Sequence, residues 1–127
     1  MASILTDPRI LAAYSEGAGI YRLIPHAAAI PTSRDDVVEV LRHAAAAHLP
    51  VTPRGAASGM PGGNVGRGII LDMSRGFGSL EIDPQRRVAR AGGSVTCAQV
   101  NDAARGHGLR LPPDPSSGAF ATSGGMV

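Results

Sequence analysis

Between residues 33 and 48 the apolar positions fall at Val37, Val38, Val40, Leu41, Ala44 and Ala45, a 3.6-residue stripe that predicts an amphipathic helix to about His48. Ser33 is placed to cap it, and Asp35 and Asp36 sit in the first turn, where carboxylates favour the positive helix start. A shorter helix is predicted from Asp7 to Ser15. Thr6 or Asp7 can cap it, Pro8 suits its first turn, Ile10, Leu11 and Tyr14 share a face, and Glu16-Gly17-Ala18-Gly19 ends it. A third is predicted from Thr96 to Gly106, with Val100, Ala103 and Ala104 inward and Gly108 as its stop.

Elsewhere the pattern is that of short strands. Tyr21 to Ile30, interrupted by Pro25 and closed by Pro31, suits an extended stretch entering a sheet edge. Leu49 to Pro53, Gly68 to Met73, Ser79 to Asp83 and Arg87 to Ala91 are strand-like, the last two joined by the turn Asp83-Pro84-Gln85-Arg86. Leu111 to Gly118 consists of turn formers and predicts an irregular loop. Ala121 to Val127 reads as the opening of a helix left incomplete, so the sequence is expected to be a truncated one.

Composition narrows the classes. At 127 residues the chain is one domain or part of one, and 43% hydrophobic against 17% charged residues fits a globular protein with a real core. Aromatic residues are 3%, with no Trp, so the core rests on Ala, Val, Ile and Leu. A flat ligand would be held mostly by backbone. The net charge of +2 comes from arginines spread along a chain without lysine, with no basic stripe or interleaved aromatics, which argues against nucleic acid. The single cysteine, Cys97, excludes an internal disulfide and a Cys-based zinc site. His26, His43, His48 and His107 lack metal-ligand spacing. No apolar run approaches the roughly 20 residues of a membrane span. The start lacks the basic and apolar regions of a signal peptide, so a cytoplasmic protein is expected, with peripheral association at the inner face of the membrane left open.

The chemistry concentrates in Arg54-Gly55-Ala56-Ala57-Ser58-Gly59-Met60-Pro61-Gly62-Gly63, between two predicted strands. Glycines at 55, 59, 62 and 63 permit positive φ and close approach of main-chain N–H groups to a ligand, while Arg54 and Ser58 offer a charge and a hydroxyl. A phosphate or pyrophosphate is the expected guest. The loop lacks the Gly-Lys-Ser/Thr ending of a P-loop, and no helix follows it as a dinucleotide fingerprint requires. On local pattern alone, a plain surface connector between strands explains it equally well.

Six pieces in order, Tyr21-Arg22-Leu23-Ile24-Pro25, Pro31-Thr32-Ser33-Arg34-Asp35-Asp36-Val37, Val51-Thr52-Pro53-Arg54-Gly55, Leu80-Glu81-Ile82-Asp83-Pro84, Pro112-Pro113-Asp114-Pro115-Ser116-Ser117 and Thr122-Ser123-Gly124-Gly125-Met126, cover nearly the whole chain. Together they resemble the FAD-binding domain of the FAD-linked oxidase superfamily, of the vanillyl-alcohol oxidase and p-cresol methylhydroxylase (PCMH) type, nearest to its D-lactate dehydrogenase and glycolate oxidase subunit group. The resemblance implies an α+β, two-subdomain PCMH-type fold truncated at the C-terminus, with residues 1–20 an N-terminal helical segment, 21–127 the first part of the FAD-binding domain and the substrate domain absent.

The resemblance also implies non-covalent FAD, with Arg54, Gly55, Ala56, Ala57, Ser58, Gly59 and Met60 forming the pyrophosphate loop and Pro113, Asp114, Ser116, Thr122, Gly124 and Gly125 lining the path toward the ribityl chain and isoalloxazine. The family often has Arg-Gly-x-Gly-Thr where this chain has Arg54-Gly55-Ala56-Ala57-Ser58. If the fourth position needs positive φ, Ala57 costs about 1 kcal/mol there. Members with covalent flavin use a histidine in or near this loop, and none lies between His48 and His107. The implied activity is oxidation of a small 2-hydroxy acid, lactate- or glycolate-like, by a flavoprotein oxidoreductase with an unidentified electron acceptor. The fragment alone is expected to be inactive and carries no implied catalytic residue or metal ligand. The alternatives are a non-catalytic nucleotide- or phosphate-binding module and a structural remnant without a ligand.

Overall fold

Two parallel strands set the frame for the glycine loop. In the computed structural model, which describes residues 3–127, β1 (Ile4–Leu5), β2 (Ala27–Ala29), β3 (Val51–Arg54) and β4 (Ile69–Asp72) form one sheet in the order β1-β2-β4-β3. β4 runs parallel to both β2 and β3, and β1 closes the sheet antiparallel to β2. The stretch around residues 21–30 therefore does not form a sheet edge, contrary to expectation: Ile4 and Leu5 pair with Ala29 and Ala28 and cover it. A two-residue strand is too short to show alternation in a sequence.

The core lies between this sheet and α2 (Arg34–Ala46), where Ala27, Ala29, Ile69 and Leu71 meet Val40 and Ala44. Ala27 and Ala29 leave room on this face for the Val40 and Ala44 side chains. Ile69 and Ile70, fully buried, each contribute about 1.5–3 kcal/mol of burial. Contact follows one line along the helix, through Val37, Val40 and Ala44. Leu41 and Ala45 each fall one residue, about 100°, off that line and are exposed, so the buried stripe is narrower than expected. The same geometry corrects α3 (Cys97–Arg105): Cys97, Val100 and Ala104 are buried, whereas Ala103 is exposed.

Capping agrees with the sequence. The Ser33 hydroxyl accepts from the Asp36 N–H at 3.1 Å, and the Asp7 carboxylate accepts from Arg9 N–H at 2.8 Å at the start of α1 (Pro8–Tyr14). Thr96 and Gln99 form a reciprocal capping box, with bonds of 3.2 and 2.8 Å. Beyond α3, Gly108 takes φ +67°. Asp36 is buried and accepts from both the N–H and the hydroxyl of Thr32, at 3.0 and 3.1 Å.

A separate antiparallel pair, β5 (Leu80–Asp83) and β6 (Val88–Ala91), packs against α3 and is joined by the expected turn, in which Asp83 accepts from the Arg86 N–H at 3.0 Å. From α3 the irregular segment 106–121 leads back to α4 (Ser123–Met126). Main-chain bonds from Ser123 to Val95 at 2.7 Å and from Gly124 to Gly93 at 3.1 Å fix α4 beside the glycine loop.

Candidate functional site

A cavity of about 360 Å³ opens where the loop following β3 faces residues 121–127. It lies beyond the carboxyl end of β3, the side on which parallel sheets commonly present ligand loops. One wall consists of Arg54, Gly55, Ala56, Ala57, Ser58 and Gly59. The other includes Thr122, Gly124 and Gly125, and Pro53, Pro61, Gly63, Asn64, Ala121 and Val127 complete the lining. The glycine loop thus meets the helix opening at residues 121–127, while the 111–118 loop stays outside the lining.

The N–H groups divide sharply between the walls. Among the described residues, none from 55 to 60 donates to a protein acceptor, so a run of main-chain donors stands available along the first wall. On the second wall the N–H groups of Ser123, Gly124 and Gly125 are consumed by Val95, Gly93 and Thr122. Gly124 and Gly125 therefore offer bare surface rather than donors. The donor there is Thr122, whose hydroxyl is buried without a hydrogen-bond partner while its residue is 5% exposed. An orphaned buried hydroxyl costs about 1–3 kcal/mol, so it marks a place where a ligand acceptor belongs. Gly55 lies directly against that oxygen, where a side chain at 55 would collide.

Ala57 takes φ +57°, the left-handed conformation anticipated for this position. Its carbonyl accepts from the Ala18 N–H at 3.0 Å, one contact of a strap formed by residues 15–23. The strap is closed by Leu23 N–H to Ser15 carbonyl at 2.9 Å and by an Arg22–Glu16 ion pair at 3.3 Å. It lies on the outer side of the loop. Gly17 abuts the Asn64 side chain, Gly19 abuts the Met60 carbonyl, and the Tyr21 ring covers Gly62, which has φ +92°. Gly17-Ala18-Gly19 is thus more than a helix end: its missing side chains admit the loop. Asn64, unmarked in the sequence reading, donates to the Gly59 carbonyl at 2.8 Å and holds the loop's far limb. An Asn directly after Gly62-Gly63 was its only signal.

Arg54 is the one charged side chain on the wall. Its guanidinium is turned to the protein, donating to the Tyr14 carbonyl at 3.0 Å and the Asn64 carbonyl at 3.5 Å and lying 5.3 Å from the Tyr14 ring centre. Burial lowers its pKa while neighbouring Asp72 and Tyr14 raise it. The Tyr14 hydroxyl donates to Asp72 at 2.6 Å; burial first, and that bond second, push the phenol up to about 12.

Four expected residues lie away from the cavity. Met60 is 69% exposed, and Pro113, Asp114 and Ser116 are exposed outside the lining. The segment 111–114 is tied instead to α3 and its own neighbours, by Leu111 N–H to Asn101 at 2.8 Å, Cys97 to the Pro113 carbonyl at 3.7 Å and Arg110 to Asp114 at 3.7 Å. Among the described residues no helix is long and apolar enough to cross a membrane.

A family profile described as FAD binding domain matches residues 25–127. D-lactate dehydrogenase of Archaeoglobus fulgidus is 39% identical over 99 residues, covering 76% of this chain and 22% of that protein. Glycolate oxidase subunit GlcD of Escherichia coli is 32% identical over 124 residues, covering 96% of this chain and 25% of that protein. In fold the chain is similar to alkyldihydroxyacetonephosphate synthase, with a TM-score of 0.78 and 19% identity over 96% of this chain and 25% of that one. The chain thus spans about a quarter of the length of these proteins. The amide-lined loop, the orphaned hydroxyl and the match over residues 25–127 agree, and the chain belongs to the FAD-binding domain family.

Proposed function

We propose that this chain is the FAD-holding part of a flavoprotein oxidoreductase that oxidises a small 2-hydroxy acid. The observation that carries the site assignment is the unpartnered Thr122 hydroxyl buried opposite a run of unengaged main-chain N–H groups. A diphosphate needs several donors without bulky side chains around them, and this cavity supplies that set. The N–H groups of residues 55–60 would hold phosphate oxygens, with Ser58 and Thr122 adding hydroxyls. Gly124 and Gly125 would let the cofactor approach the backbone closely.

When bound, FAD supplies the two-electron acceptor for oxidation of the hydroxyl-bearing carbon. The chain's own part is to bind and orient: the loop would hold the diphosphate, with residues 121–127 forming the facing wall. No histidine or cysteine lines the cavity, which supports non-covalent attachment. The names of D-lactate dehydrogenase and the glycolate oxidase subunit support a small 2-hydroxy acid as substrate. A separate electron acceptor is then required to return the cofactor to its oxidised form.

Titration of the purified chain with FAD, followed by quenching of flavin fluorescence, tests the site. Saturable quenching reversed by gel filtration in denaturant fits non-covalent binding, and ADP competing as well as FAD would favour a generic nucleotide module instead. In the protein expressed from the full reading frame, anaerobic addition of D-lactate or glycolate should bleach the flavin absorbance. A flavin that neither acid reduces would refute the substrate assignment.

A further inference from the structure

Arg54 stands where a phosphate ligand is expected, yet its guanidinium is spent on the protein. We propose that Arg54 is a positioning residue: it pins the end of α1 and the strap behind the glycine loop, and so holds the loop in its ligand-ready shape without itself binding phosphate. This rests on the reading of the loop as the cradle for the FAD diphosphate.

The connections run through one cluster. Arg54 and Asp72 are paired residues at the ends of β3 and β4, one preceding the loop and the other closing the strand after it. Tyr14 bridges them from α1, giving its hydroxyl to Asp72 at 2.6 Å and its carbonyl to Arg54 at 3.0 Å, with its ring 5.3 Å from the guanidinium. Arg54 also reaches the Asn64 carbonyl at 3.5 Å, on the returning limb of the loop. Immediately after Tyr14 the chain becomes the strap, whose Ala18 N–H holds the carbonyl of left-handed Ala57 at 3.0 Å.

α1 packs on β2, with Ile10 and Leu11 partly buried, but none of its residues is fully buried, so polar contacts at Tyr14 help to fix its C-terminal end. The planar guanidinium suits the task, because Nη1 serves both carbonyls while the flat, delocalised group lies over an aromatic face; an ammonium lacks that plane. The cluster is therefore a mechanical link from the sheet, through Tyr14, to the back of the loop.

Ligand and positioning roles differ in what they demand of residue 54. A ligand role needs charge, so Arg54→Lys should restore most of the FAD affinity lost in Arg54→Gln, and Gln should flatten the dependence of affinity on salt. A positioning role needs the planar guanidinium over the Tyr14 ring. We then expect Lys and Gln each to weaken FAD binding about tenfold with the wild-type salt dependence retained. The double variant Arg54→Gln with Tyr14→Ala should lose little beyond the single variants, as for residues acting as a unit.

A second measurement does not involve FAD. Hydrogen exchange at the Ala18 amide should speed up about tenfold in Arg54→Gln and Arg54→Lys, while exchange at the Ile70 amide in the core stays as in wild type. Rescue by Lys, a flattened salt dependence, or unchanged Ala18 exchange would each overturn the proposal. So would equal acceleration at Ile70, which would reduce Arg54 to a general folding role. Wild-type protein that takes up no FAD refutes the cofactor reading instead, and the exchange at Ala18 then decides the positioning role by itself.

Discussion

Replacing Thr122 by Val should make the ligand-free protein more stable and the cofactor complex weaker, a pair of opposite effects that a merely structural threonine would not produce. The side chain keeps its shape and loses one oxygen, the one that is buried with no hydrogen-bond partner. Leaving a buried hydroxyl unsatisfied costs about 1–3 kcal/mol, and the extra methyl must fit against Gly55, so a net gain of about 1 kcal/mol is expected. With an unfolding entropy of about 2.1 cal/mol/K per residue, that gain raises the Tm of a 127-residue chain by about 4 °C. The lost hydrogen bond to a charged phosphate oxygen is worth about 1.5–3 kcal/mol, so FAD should bind roughly tenfold to a hundredfold more weakly. Thermal unfolding followed by circular dichroism reads the first effect and flavin fluorescence titration the second. Thr122→Ser, which keeps the hydroxyl, should stay within a few-fold of wild-type affinity. A Val variant that is less stable without ligand, or that binds FAD as wild type does, would refute the assignment of this oxygen to the cofactor.

Other positions give independent checks. Ala57→Gly removes a left-handed strain of about 1–2 kcal/mol at φ +57° and adds about 0.5–1 kcal/mol of unfolded-chain entropy, so the urea midpoint should rise slightly at unchanged slope; a fall would mean that position 57 is not held left-handed. Asp36 is held below its ordinary pKa of 3.8, first by the Thr32 N–H. Its contribution is therefore complete above that value and lost as pH falls below it, and Asp36→Asn should flatten the acid limb of a urea-midpoint profile. Tyr14, pushed up to about 12 by burial and by Asp72, contributes stability that is complete below the ordinary value of 10.0 and lost as pH rises toward 12. Tyr14→Phe should remove that alkaline loss and, in an absorbance titration, the late-forming tyrosinate.

Local signals were legible wherever one segment carries both pattern and cap. α2 has its stripe, Ser33 and two acidic residues within a single stretch, and α3 starts at Thr96 as its pattern predicts. Turn chemistry placed the hairpin at Asp83 to Arg86 and the stop at Gly108. The glycine loop was legible as a loop without bulk between two strands, which local pattern alone could not tell from a plain connector. What distant segments decide was not. β1 exists only because Ile4 and Leu5 find Ala28 and Ala29, and Arg54 turns inward because Tyr14 waits there. Pro113, Asp114 and Ser116 carry the family pattern, yet here α3 and its neighbours hold that segment off the cavity.

The strap and the loop meet through places where side chains are missing: Gly17 faces Asn64, Gly19 faces the Met60 carbonyl and Gly62 faces the Tyr21 ring, and across the cavity Gly55 faces Thr122 in the same way. The specification of this region is therefore volumetric. A single added methyl at Gly19, Gly62 or Gly55 moves backbone, a ring or a buried oxygen, whereas at Gly17 it displaces the Asn64 side chain that holds the Gly59 carbonyl. Tolerance at these glycines should sort by size more than by chemical character, so a saturation library would show narrow columns at 19, 55 and 62 and a wider one at 17.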